Sequence, residues 1–306
     1  MVGSAVVLYG VVAVLVVGLA WGTAKRQDPL RIDGGAQLAF RAARRRSLAS
    51  VGLALALLAA GFASVQLAPG WLGAGASLAP TLAGIGGLAL YAAIPTPKDD
   101  GTQPRYAASL ARRTPWNVAP KAALTALGAA IILLLVLLVF TGVTSSPDAL
   151  GHFRSITFTA PSSVSSAGPY PGWFYAVPLL VGTPLLALAA WAALRRIATT
   201  ASFPGEALEE LDSVWRARSA QIVVGLATAA VCLQLGGIAL SAGITMRSAR
   251  VMPGVPVGWQ VLATGLTLLG IASLLLSIVA LTLAALRAFA LPQRVIRSDT
   301  RIARAA

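Results

Sequence analysis

Residues 41–64 read RAARRRSLASVGLALALLAAGFAS. Four arginines fall within six positions, and after Arg46 no charged side chain recurs until Lys98. A helix needs roughly 20 mostly apolar residues to cross about 30 Å of hydrocarbon. The stretch 48–68 supplies them, so the arginines mark the edge of a membrane span. The pattern returns later, where RARS at 216–219 precedes AQIVVGLATAAVCLQLGG.

Composition extends that reading to the whole chain. Of 306 residues, 57% are hydrophobic and 11% charged, whereas soluble domains average about 25% charged, which excludes a water-soluble fold. The net charge of +14 would suggest nucleic acid on a soluble domain. Here the charges are confined to short stretches between apolar runs, and no nucleic acid is expected. The Ala, Gly, Val and Arg bias points to a GC-rich bacterial genome. Cys232 is the one cysteine, so no intramolecular disulfide forms.

Seven runs qualify as spans: about 3–22, 48–68, 78–95, 121–143, 173–194, 220–245 and 258–286. No charge precedes the first, and Lys25, Arg26 and Arg31 follow it. That is the reverse of a signal peptide, so the run is expected to stay as a helix with the N-terminus outside. The positive-inside rule then places 21 Lys and Arg in the inner segments and leaves Arg154, Arg247 and Arg250 outside. The expected fold is an all-α bundle of seven transmembrane helices in the cell membrane, forming one domain over 1–306 with a cytoplasmic C-terminus. Arg41, Arg44, Arg45, Arg46, Arg216 and Arg218 become inner-face anchors for the anionic leaflet.

Both arginine knots follow a descending span and an inner stretch, and both precede an ascending and a descending span. Spans 1–3 and 5–7 therefore read either as parallel repeats around span four or as an accident of composition. The inner segment 195–219 contains an amphipathic helix. Leu208, Leu211 and Trp215 form its stripe, Glu209 and Glu210 lie beside them, and Asp212 is spaced to pair with Arg216. Such a face suits a protein partner anchored on Trp215, or a helix tucked against the bundle's own loops. Like 34–47, it either lies on the membrane or continues the next span inward. The longest outer loop, 144–172, holds the alternating RSITFT of a short strand and leads into PYPGWFY, an aromatic run suited to the interface.

Chemistry is sparse. His152 is the only histidine, so neither an H-E-x-x-H metal site nor bis-histidine haem ligation is available. No ionisable residue lies within a span, which removes the usual proton relays. Asp148 and His152 would make at most a weak metal pair. No cofactor, metal site or catalytic residue is expected. Softer features remain: Pro178, Gly182 and Pro184 predict a kinked or broken fifth span, and Cys232, Gln234 and Ser241 put polar atoms in the sixth. Together they could form a substrate path. Alternatively, Gln234 makes an interhelical hydrogen bond, and Gly84, Gly86, Gly87 and the Gly237-x-x-x-Ser241 pair allow close packing. The expected function is a non-catalytic accessory, scaffold or sensing component with a membrane or cytoplasmic protein partner. The alternative is a transporter or permease subunit for an uncharged or hydrophobic substrate.

Overall fold

The computed structural model describes residue 18 and residues 34–94, 114–160, 163–200, 209–249 and 257–305. The first expected span, 3–22, lies outside the described residues apart from Gly18. The described chain runs α1 (Gly34–Leu67), a 3-10 turn (Pro69–Trp71), α2 (Ala74–Ala93), the short α3 (Pro115–Val118) and α4 (Lys121–Val143). It continues through strands β1 (Ser146–Pro147), β2 (Phe153–Ala160) and β3 (Ser163–Ala167), then α5 (Trp173–Thr199), α6 (Glu209–Ser248) and α7 (Val257–Ala305). Six of these helices are long and apolar enough to cross a membrane, which makes a multi-pass membrane architecture.

Helices α1, α6 and α7 are each longer than a membrane span requires. The uncharged apolar run of α1 begins after Arg46, although the helix starts at Gly34. At 1.5 Å per residue, the 40 residues of α6 measure about 60 Å, twice the hydrocarbon thickness. The segments before spans two and six therefore continue those spans at 34–47 and from Glu209 onward. They do not turn to lie flat.

The bundle is organised around α6. Its apolar window is 83% buried, against 22% for those of α1 and α4. It packs on α7, α4, α2 and α5. Lipid cannot drive apolar helices together, so contact relies on close approach of small residues. A side chain added at Gly236 would meet Leu274 at 2.8 Å, and one at Gly270 would meet the Leu240 backbone nitrogen at 2.7 Å. Gly243 faces the carbonyl of Ala263 at 2.8 Å in the same way. Positions 236 and 243 are seven apart, the repeat of a continuous helix–helix seam. Gly237 is exposed and has nothing within 4 Å, so the expected Gly237–Ser241 contact is corrected. One residue rotates a helix position by about 100°, and the seam belongs to the neighbouring glycine.

The α1–α2 hairpin is built alike. Ser50 Oγ donates to the carbonyl of Gly87 at 2.5 Å. Gly84 approaches Leu186 and Ala230, Gly86 approaches Leu57, and Gly87 approaches the backbone of Ser50. Left-handed backbone at Leu72 (φ 52°) and Gly73 (φ 83°) closes the connection, which Tyr175 of α5 pins by donating to the Leu72 carbonyl at 2.6 Å.

The expectation of an all-α chain needs one addition, a three-stranded antiparallel sheet in the order β1-β2-β3. Its central strand contains RSITFT, with Ile156 opposite Ala167 and Phe158 opposite Ser165. Ile156 is buried, and Phe158 meets Trp259 of α7 edge-on at 5.5 Å. The aromatics that follow are partly drawn into the protein interior. Tyr170 is completely buried, with its hydroxyl 2.7 Å from Thr144 Oγ1, and Trp173 lies against Gly142. The Tyr170 hydroxyl is buried because it has an internal partner, whereas Trp173 and Phe174 are half-buried.

Candidate functional site

The polar residues of the bundle centre are tied to one another. Gln234 of α6 is buried, and its side-chain carbonyl accepts from Thr81 Oγ1 of α2 at 3.2 Å. Thr81 also abuts Gly182 of α5, where an added Cβ would come within 2.8 Å of its methyl. Three helices thus meet at one point, and the small residue at 182 leaves room for the threonine. Ser277 of α7 donates to the Ala229 carbonyl of α6 at 2.7 Å. Each bond satisfies a group that would be costly to leave bare in hydrocarbon.

The other members of the expected path are scattered. Cys232 is buried, Ser241 half-buried, Pro178 half-buried and Pro184 exposed. Of the expected kink or break in the fifth span, the break is corrected: helix α5 runs unbroken from Trp173 to Thr199 through both prolines. Pro178 is already in the second turn, so each proline removes one intrahelical donor and the helix continues past it. Thr183 donates to the Leu179 carbonyl at 2.8 Å. Between α1, α2, α6 and α7 there is a cavity of about 30 Å³, lined by Ala54, Leu58, Pro80, Ala83, Leu226 and Leu233 among others. That is room for little more than a water-sized molecule, and the lining of this partly open pocket offers no polar atom.

The arginine-rich end differs from the expectation of surface anchors. Arg45 is exposed, Arg44 and Arg218 are half-buried, and Arg46 and Arg216 are buried. The side chain of Arg41 lies outside the described residues. Arg46 Nε donates to the Tyr91 carbonyl at 2.6 Å, and its guanidinium sits 4.4 Å from the Tyr91 ring centre. Arg216 pairs with Asp212 at 2.8 Å one turn earlier. It also donates to the carbonyls of Ile197 at 2.5 Å and Thr200 at 2.7 Å. Those carbonyls end α5, where a cation complements the helix dipole. Arg46 and Arg216 are therefore internal ties, and the anchor reading is corrected for both.

Trp215 is also internal. It is 5% exposed and packs with Ala43 of α1, Ile222 of α6 and Ala288 of α7. A large indole in a junction of three helices supports the fold and cannot anchor a partner, so its docking role is corrected. Leu208 lies outside the described residues, as do the side chains of Glu209, Glu210 and Leu211.

At the opposite end, Asp148 Oδ1 accepts the backbone N–H groups of Leu150 at 2.9 Å and His152 at 3.0 Å. Its other oxygen pairs with Arg154. The hydrogen bond from the Arg154 guanidinium holds the carboxyl below the usual carboxylate range; desolvation opposes it, and the two backbone N–H groups add to the lowering. The His152 ring lies 5.0 Å from that of Phe174. Asp148 closes a turn, and no group of three His, Cys, Asp or Glu able to hold a metal occurs among the described residues.

Residues that the sequence reading missed are Arg196 of α5, Tyr91 and Thr81 of α2, and the seam glycines Gly236, Gly243 and Gly270. Spacing was the available signal for the glycines: positions 236 and 243 form a seven-residue step within a run otherwise uniform in hydropathy. Comparison of the chain with protein-family models, with characterised proteins and with solved structures finds no match.

Proposed function

We propose that the chain is a non-catalytic component of the cell membrane that acts through contact with a membrane or cytoplasmic protein. It has seven spans, an outer N-terminus and an arginine-rich inner face. The observation that carries this reading is the closed centre. Helix α6 is buried over most of its apolar length, Gln234 is bonded to Thr81, and the apolar pocket between α1, α2, α6 and α7 offers only about 30 Å³. A permease would need a polar route or a broken helix at mid-bundle, and the described residues favour neither. With Trp215 internal, the docking face of 206–218 rests on Glu209 and Glu210. The α1–α2 and α6–α7 hairpins are what parallel repeats flanking α4 would produce.

Two measurements test the reading together. Purification in mild detergent with quantitative mass spectrometry is expected to recover a stoichiometric partner, and reversing Glu209 and Glu210 to Lys is expected to reduce its recovery with membrane insertion unchanged. In liposomes the chain alone is expected to give no flux of uncharged solutes. A saturable flux from the chain alone would establish the transporter alternative and end this reading.

A further inference from the structure

The inner junction holds guanidinium nitrogens that its described partners leave unsatisfied: Arg46 is buried, and Arg196 is half-buried with its Nε enclosed. One turn of α1 supplies Arg46 and Ser47, and the last turn of α5 supplies Arg196. Arg46 and Ser47 are 3% and 1% exposed. Arg46 Nη2, Arg196 Nε and Ser47 Oγ are all buried without a hydrogen-bond partner. Arg46 and Arg196 are close enough to act on each other electrostatically. Asp212 is the buried carboxylate here, and it is engaged with Arg216. A guanidinium cannot escape burial by losing its proton, and a buried charge without a counter-charge is strongly unfavourable. The unmet requirement is for an anion with several acceptor oxygens.

We propose that this junction of α1 and α5, beside the inner ends of α2 and α6, is a binding site for a phosphate group. Arg46 and Arg196 provide the charge-assisted donors, with the buried hydroxyl of Ser47 at the next helix position. Guanidinium forks suit phosphate oxygens, and basic pockets between membrane helices on the inner side take lipid headgroups. A phosphomonoester lipid headgroup and a soluble phosphate ester present the same chemistry. The inference rests on the orientation proposed above only for the access of a lipid to the site, and binding in detergent requires no orientation.

The test uses delipidated full-length protein. One arm titrates inorganic phosphate in neutral detergent. The other compares nanodiscs of phosphatidylcholine with and without phosphatidic acid, and thermal stability reads both. Saturable stabilisation by phosphate is expected, weakened about ten- to hundredfold by Arg46→Gln and by Arg196→Gln, while the exposed Arg45→Gln shifts it less than about twofold. Stabilisation by phosphatidic acid alone would also support the site and identify its ligand as a lipid, whereas an equal response to phosphate would extend it to soluble esters. If Arg46→Gln fails to insert, Ser47→Ala and Arg196→Gln make the same comparison. Absence of any response to both probes overturns the proposal. So does equal weakening by Arg45→Gln and the buried-site variants, which would indicate a diffuse basic surface.

Discussion

Gly270→Ala tests the seam that holds α7 to α6. The added methyl would lie 2.7, 2.8 and 2.9 Å from the nitrogen, Cβ and Cα of Leu240. Because most of that neighbour is backbone, no rotamer change relieves the overlap and the helices must separate. Overpacking costs about 1–3 kcal/mol, and rigid neighbours place this case in the upper half. Alanine recovers about 1 kcal/mol of helix propensity over glycine, leaving a net loss of about 1–2 kcal/mol. The matched control is Gly237→Ala, one position along α6, where nothing lies within 4 Å. There the propensity gain acts alone, so stability should be unchanged or up to about 1 kcal/mol higher. Unfolding in mixed micelles at increasing SDS fraction, followed by tryptophan fluorescence, measures both. Gly270→Ala as stable as wild type, or equal losses in the two variants, would refute the seam.

Further perturbations separate the remaining interactions. Trp215→Ala should cost about 3–5 kcal/mol in the same assay, because it empties a junction of three helices; unchanged stability would return the indole to the surface. Asp212→Asn should cost about 3–5 kcal/mol by stranding Arg216, and Arg216→Met with Asp212→Leu should recover much of that loss. Thr81→Val should cost about 0.6 kcal/mol and no more than about 1.7, since it removes one interhelical hydrogen bond; a larger loss would mean that Gln234 has no alternative partner. Asp148 has a lowered folded pKa, so its contribution is present above the ordinary value of about 3.9. It disappears as pH falls through the lower folded value. Amide exchange at Leu150 and His152 should accelerate across that acid window, and Arg154→Gln should move the acceleration to higher pH. No change in its position would remove the ion pair from the account.

Hydropathy made the membrane class legible, along with the approximate limits of the described spans and the strand at RSITFT. It could not distinguish the helices by role. The windows of α1 and α6 share a mean hydropathy of 2.1, yet one is 22% buried and the other 83%. Hydrocarbon and protein interior look alike to an apolar residue, so the central helix cannot be recognised by composition. The arginines misled for a related reason. Arg45 and Arg46 are adjacent and chemically identical, but helix rotation sends one outward and the other onto Tyr91. Only a three-dimensional neighbour such as the Tyr91 carbonyl distinguishes an anchor from a tie. The prolines of α5 suggested a break because each loses a backbone donor, whereas the helix tolerates both losses within one continuous element. Gln234 behaved as its amide requires, since a group needing partners inside hydrocarbon selects a threonine on the facing helix.

The central claim is a seven-span bundle with its arginine-rich end inside, and cysteine accessibility measures it most directly. With Cys232 replaced by Ser, single cysteines are placed at Ser163 in the outer sheet and at Ser109 in the expected inner segment. The account predicts that a membrane-impermeant thiol reagent on intact cells labels Ser163→Cys and spares Ser109→Cys until the membrane is opened. Labelling of both on intact cells, or of Ser109→Cys alone, would contradict it.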